Sequence, residues 1–217
     1  MATNITVLSS RVQPDVIGCP RPVVNNAVID AIIKFCEETH IIEQGFEHDV
    51  VSGDITAADN DSVNVLLTTY VSATLRPVVM TEFRIDGAIW ETEYIELLND
   101  LDDLSEIEVP RAKLFNYPDR THVKFYGIDV KDQRFYIKQV YAPLTTITTI
   151  DDWIYDRYHK AIEAKAKWEL MSMPGKDWSN AGLAEYNLSL YRDGIAEAKA
   201  ALGHNRGNRT VKTQRFF

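Results

Sequence analysis

The sequence predicts an α+β protein: a small helical bundle of three main helices, interrupted by a large β-rich insertion and followed by an extended C-terminal arm. Two changes of hydrophobic period and one run of charge predict it. Apolar residues recur at helical spacing early in the chain and again after residue 144. Between 46 and 143, runs of Val, Ile, Thr, Tyr and Phe alternate with turn residues instead. Residues 204–217 carry Arg206, Arg209, Lys212 and Arg215 at intervals of three, with no acid among them. The expected division is a helical domain over 1–45 and 144–203, a β-rich module over 46–143, and a basic arm over 204–217.

Taken in order, residues 1–20 read as an extended lead-in, because Pro14, Gly18 and Pro20 oppose regular structure. The first helix is expected from about Pro22, a residue favoured in a first turn. Val24, Val28, Ala31, Ile32, Phe35 and Thr39 share one face, and the helix ends near His40 with Gly45 beyond. Expected strands are 46–51, 63–69, 78–85, 88–93, 113–115, 122–126 and 134–140. Asp86-Gly87 is a hairpin signal between the third and fourth. Tyr94 to Leu104 reads as a short helix with Ile95, Leu97, Leu98, Leu101 and Leu104 as its apolar set.

The C-terminal third organises the bundle. Ile154, Tyr158, Ile162, Ala166 and Leu170 recur every four residues, one row along a helix from 151 to 173. Met173-Pro174-Gly175 ends it, since Pro disfavours helical geometry in the residue before it and lacks a donor. A second helix follows over 181–202, with Ala184, Leu188, Tyr191, Ile195, Ala198 and Leu202 in one stripe and Gly203 as the expected C-cap. So short a connection makes the two helices antiparallel neighbours. The first helix has one apolar stripe and is expected to bury it against this pair.

Composition narrows the function classes. A chain with 45% hydrophobic residues can build one sizeable core or a core with a subdomain. Net charge is −9 and the arm contributes +4, so the remainder sums to −13, which argues against nucleic acid as a ligand of the whole surface. Eight acids and no Lys or Arg fall in 91–108. That run lacks the alternating acidic pattern of a calcium loop and reads as a solvated face, or as a surface for a basic partner. Two cysteines, Cys19 and Cys36, make no disulfide framework. Neither a leader nor an 18-residue apolar run is visible, so the expectation is a soluble protein in a reducing cytoplasm with no membrane segment.

No enzymatic motif is present. Gly175-Lys176 lacks the upstream glycine of a phosphate loop, and neither G-x-S-x-G nor H-E-x-x-H occurs. Cys36 and His40 are four residues apart and could share a metal on one helix face, but no second ligand pair follows, so Cys36 reads as core and His40 as a helix end. His48, His122 and His159 have no partner that spacing could assign. Trp153, Trp168 and Trp178 read as core or helix–helix packing, with Trp178 at the turn also suited to a subunit contact. The expectation is a protein without catalytic residues, cofactor or metal. The arm is the exception to a bland surface. Its regular charges, Val211 and Phe216-Phe217 suit a segment that orders on docking to another protein.

Three stretches carry a resemblance: Val16-Ile17-Gly18-Cys19-Pro20 leading to Val24, Ala27, Ala31 and Phe35-Cys36-Glu37-Glu38-Thr39; Ile150-Asp151-Asp152-Trp153 through Tyr158, Ala161-Ile162 and Leu170 to Met173-Pro174-Gly175-Lys176-Asp177-Trp178; and Ala184, Tyr186, Gly194-Ile195 and Ala198 before the basic arm. Together they span a little under half the chain, and the whole resembles the head–tail connector, or adaptor, proteins of tailed bacteriophages. Ala164-Lys165 stands where several patterns of that family carry a small residue, a departure confined to local packing. The resemblance implies a structural adaptor of the virion: a dodecameric ring beneath the portal, with a β-rich side facing the next tail protein and a lumen for packaged DNA. It also implies assembly in the host cytoplasm and a portal-binding arm built from Arg206, Arg209, Lys212, Arg215, Phe216 and Phe217. Another connector-layer or tail-completion protein is the nearest alternative. A nucleic-acid-binding module using the basic arm is the alternative from a different class.

Overall fold

The computed structural model describes residues 2–50, 54, 62–85, 88–89, 92–94, 113–116, 121–126 and 133–207. Among them the chain is α+β, as expected. It opens with β1 (Ala2–Asn4), α1 (Ile5–Val12), a 3-10 turn over Gln13–Asp15 and α2 (Arg21–Thr39). Then come β2 (Ile42–Asp49), β3 (Ser62–Leu66), a second 3-10 turn over Leu67–Thr69, β4 (Leu75–Ile85), β5 (Ala88–Ile89) and β6 (Thr92–Tyr94). The rest are β7 (Lys113–Asn116), β8 (His122–Tyr126), β9 (Arg134–Pro143), β10 (Thr149–Asp151), α3 (Asp152–Met171) and α4 (Ala181–Gly207). The chain divides into two compact units, Met1–Ile41 with Pro143–Phe217, and Ile42–Ala142.

The first unit starts with a correction. Residues 1–20 are not an extended lead-in, so the described residues hold four helices rather than three. The Asn4 side chain caps α1, accepting from the Thr6 backbone N–H at 2.9 Å and the Thr6 hydroxyl at 2.7 Å. Ile5, Leu8 and Val12 then bury one face. Pro14 sits inside the 3-10 turn, and Gly18 takes φ +87°, so these residues end α1 rather than forbid it. β1 pairs antiparallel with β10, Thr3 opposite Ile150.

The remaining helices follow the expected periodicity. Val24, Val28, Ala31, Ile32, Phe35 and Thr39 of α2 are all buried. The helix closes at His40, left-handed at φ 57°, whose N–H donates to the Cys36 carbonyl at 3.0 Å. In α3 the whole row Ile154, Tyr158, Ile162, Ala166 and Leu170 is buried. In α4, Ala184, Tyr191 and Ala198 are buried, while Leu188, Ile195 and Leu202 are half-buried. The two helices run antiparallel: Ala161, midway along α3, lies against Gly194, and Asn187 donates to Met171 Sδ at its end. Gly203 does not cap α4, which runs on to Gly207. A lone interior glycine costs about 1 kcal/mol relative to alanine, too little to stop a long helix.

The second unit has two four-stranded sheets in the orders β2-β9-β4-β5 and β3-β8-β7-β6. Pairing is antiparallel at Phe46 opposite Ile137, Val65 opposite Val123 and Ile85 opposite Ala88, whereas β6 and β7 are parallel. β9 alternates over its first half, with Phe135 and Ile137 buried while Arg134, Tyr136 and Lys138 are not, and from Gln139 to Pro143 it is buried throughout. One core takes side chains from both sheets, with Phe83 stacked on Phe125 at 4.5 Å and Phe135 edge-on to both at 5.1 and 5.6 Å.

Three expectations change here. β2 is Ile42–Asp49 instead of 46–51, so Gly45 lies within the strand, against Tyr136. The expected strand 63–69 finishes as a 3-10 turn. The expected strand 88–93 is two short strands, with Tyr94 closing the second instead of starting a helix. Residues 95–104 of that expected helix lie outside the described residues.

Candidate interaction surfaces

The arm meets the described structure through α4. This helix has 27 residues and is therefore about 40 Å long. Arg206 falls in its last turn; the Arg206 side chain and all of Arg209, Lys212, Arg215, Phe216 and Phe217 lie outside the described residues. So does most of the acidic run 91–108, of which β6 alone is described. What can be placed is the helix that bears the arm and the surface that this helix exposes.

That surface has an apolar flank. Leu183, Tyr186 and Leu190 are 48%, 61% and 40% exposed, and their spacing of three and four puts them on one side of α4. They lie beside the buried row, not opposite it. Glu185 is the one charged residue between Ala181 and Tyr191. Asp193 and Glu197 extend the same flank by two turns, both exposed.

A second surface is built by the unexpected helix. Ser9, Ser10, Gln13, Pro14 and Arg21 line an open concavity of about 400 Å³. Val7 on α1 is exposed, and Ile17, in the loop after the 3-10 turn, is 81% exposed. Arg11 reaches from α1 to α3, 2.7 Å from Glu163 and 3.1 Å from the Tyr155 hydroxyl, and the pairing raises its pKa. Lys167 continues the tie to Asp15 at 2.6 Å. α1 packs on α2 and α3, and α4 packs on α3 and α2, while Glu163 of α3 meets Arg11 and Lys165, two residues on, faces Tyr191 of α4, so α1 and α4 take different faces of α3.

The tryptophans behave differently from one another. Trp153 is exposed, against the expectation of core packing. It occupies the second position of α3, one residue ahead of the buried row that starts at Ile154. Trp168 is half-buried, with Lys165 Nζ 4.0 Å from its ring centroid. Trp178 is half-buried at the turn, with Lys176 at 5.9 Å.

Reactive groups are held quiet. Cys36 is fully buried, and burial pushes its thiol up to about 12, while His40 serves as the helix end. Among the described residues no three His, Cys, Asp or Glu side chains group to hold a metal. His48 does gain partners that sequence could not assign: its Nδ1 lies 2.8 Å from the Tyr70 hydroxyl and its Nε2 3.0 Å from Asp54. Burial, then Asp54 and Asp49, raise the Tyr70 pKa. On the outer face of the β2-β9-β4-β5 sheet, Glu47, Arg84, Arg134 and Tyr136 line a concavity of about 300 Å³. Asp49 holds Arg134 at 2.6 Å, and Glu82 holds Arg84, so these cations are neutralised in place.

No protein-family model matches this chain, and no curated protein matches it either.

Proposed function

We propose that this chain is a non-enzymatic head-to-tail adaptor of a tailed-phage virion, whose copies form a ring and whose C-terminal arm docks on the portal. In this reading the four helices are the ring-forming bundle. Residues 42–142 are the β-rich insertion facing the next tail protein, and DNA passes through the lumen. The observation that carries the reading is the α3–α4 hairpin. A 27-residue helix, anchored along α3, leads without a break into the basic segment. Such a rod holds the arm's attachment point at a fixed distance from the bundle.

The chemistry of the arm suits an acidic, grooved partner. Each exposed charge pair contributes about 0–1 kcal/mol, whereas a buried Phe contributes on the order of 1.5–3 kcal/mol. Phe216 and Phe217 therefore supply most of the hold, and the four cations supply steering. Repetition around a ring multiplies both through effective concentration.

The test is co-sedimentation with the portal protein of the same phage. Deleting 208–217, which spares α4, abolishes binding in this account, and changing Phe216 and Phe217 to Ala weakens it more than changing any one Arg. A deletion variant that binds portal as tightly as wild type overturns the assignment of the arm. Retention on DNA that falls steeply with salt, without portal binding, favours the nucleic-acid-binding alternative.

A further inference from the structure

We infer that copies of this chain join head to tail, the Leu183–Tyr186–Leu190 flank of α4 on one copy seating against the α1 surface of the next. The inference supplies the subunit contact for the ring proposed above and rests on that reading for its closed form. The contact itself needs neither portal nor arm.

Four observations point to a second copy as the occupant. First, two half-exposed leucines and a mostly exposed tyrosine make an apolar flank on the order of 300 Å², the size at which a patch on a monomer is commonly functional. Second, the flank has the make-up of an interface centre: an aromatic between two leucines, with its charges beyond the C-terminal end. Third, the charge at that end is complementary to the other surface. Asp193 and Glu197 continue the α4 flank, while Arg21 rims the concavity beside α1. Fourth, the concavity is open enough to admit an aromatic side chain, and exposed Ile17 follows its Pro14 edge by three residues. Tyr186 would enter it, with its hydroxyl among Ser10, Gln13 and Arg21.

The two surfaces are different patches, on helices that take different faces of α3. A contact between unlike patches is heterologous, so each copy offers one of each and assembly continues until it closes. An α4 flank pairing with itself would stop at a dimer.

Sedimentation velocity on the full chain, without portal, reads the difference. Tyr186→Asp spoils one surface and Ile17→Asp the other. Both residues are largely exposed, so the fold survives, and circular dichroism checks that. Wild type is expected to assemble beyond a dimer. Each variant alone is expected to sediment as a monomer, its association weakened about 30-fold or more, the loss that marks an interface hot spot. An equimolar mixture of the two has one intact contact and is expected to form a dimer and no more. If Ile17→Asp alone still dimerises, the flank pairs with itself and the head-to-tail inference is wrong. If either variant assembles as wild type does, the ring is made by another surface, and the adaptor reading stands without this contact. A wild type that stays monomeric at every concentration overturns the contact outright, while portal binding in the separate co-sedimentation experiment still judges the adaptor reading.

Discussion

Gly194 is where the closest approach of α3 and α4 can be measured. A Cβ added there would lie well inside van der Waals contact of the Ala161 Cβ and 3.5 Å from the Ala161 Cα. Neither atom can swing away, because each is fixed to a helix backbone. Inserting a methyl group into so tight a place costs about 1–3 kcal/mol. Against this, Gly→Ala in a helix interior gains about 1 kcal/mol. With the Ala161 Cβ fixed to its helix, Gly194→Ala is expected to lose up to about 2 kcal/mol net. Gly203, in the same helix, supplies the control: nothing lies within 4 Å of its Cβ position, so Gly203→Ala is expected to gain up to about 1 kcal/mol. Urea unfolding followed by helical circular dichroism reads both as shifts in midpoint at constant slope. Ala161→Gly placed with Gly194→Ala returns the missing space, and a double-mutant cycle isolates the coupling. A Gly194→Ala variant that shifts upward as Gly203→Ala does would refute the packing argument.

Three further outcomes follow from other contacts. Arg11→Ala removes the 2.7 Å partner of a nearly buried Glu163 and leaves Lys167 at 4.0 Å, so a stability loss of about 1–3 kcal/mol is expected by urea unfolding; no change would mean that α1 adds nothing to the hold on α3. Cys36 and Cys19 are buried with raised thiol pKa values, so maleimide is expected to label neither until the chain unfolds; mass spectrometry after brief exposure decides, and rapid labelling of the native protein would contradict the burial. Burial, with Glu38 adding to it at Tyr191, holds the hydroxyls of Tyr141 and Tyr191 above the ordinary phenol value of about 10. Folded-state values above the unfolded ones mean that this stability is complete below about pH 10 and lost as pH rises further. Urea midpoints from about pH 8 to 11 are expected to fall at the alkaline end, less so in Tyr191→Phe, and a flat profile would contradict this.

The parts of the fold set by local period were legible. The α3 row from Ile154 to Leu170 and the α2 face from Val24 to Thr39 announce themselves because burial and spacing coincide. Helix α1 was not read, because its eight residues form little more than two turns and owe their stability to packing on α2 and α3. The signal was present in Asn4 as a cap and in Ile5, Leu8 and Val12 on one face, but three breakers soon after outweighed it. The β1–β10 pairing joins Thr3 to Ile150, a match between short strands far apart in sequence, which no local pattern encodes. The spacing of the α4 stripe left Leu183, Tyr186 and Leu190 outside it, and the structure exposes all three, but the flank they make together was not singled out from the sequence. The His48–Asp54–Tyr70 cluster was hidden for the same non-local reason. The arm's charge pattern stands in the sequence alone, because Arg209, Lys212, Arg215, Phe216 and Phe217 lie outside the described residues.

The central claim is that this chain adds a ring to a portal. Electron microscopy of purified portal rings, imaged in negative stain before and after adding the protein, tests it most directly. A second ring stacked coaxially on one end of the portal, and lost with the 208–217 deletion, is the predicted image. Portal rings that look the same with and without the protein would contradict the account.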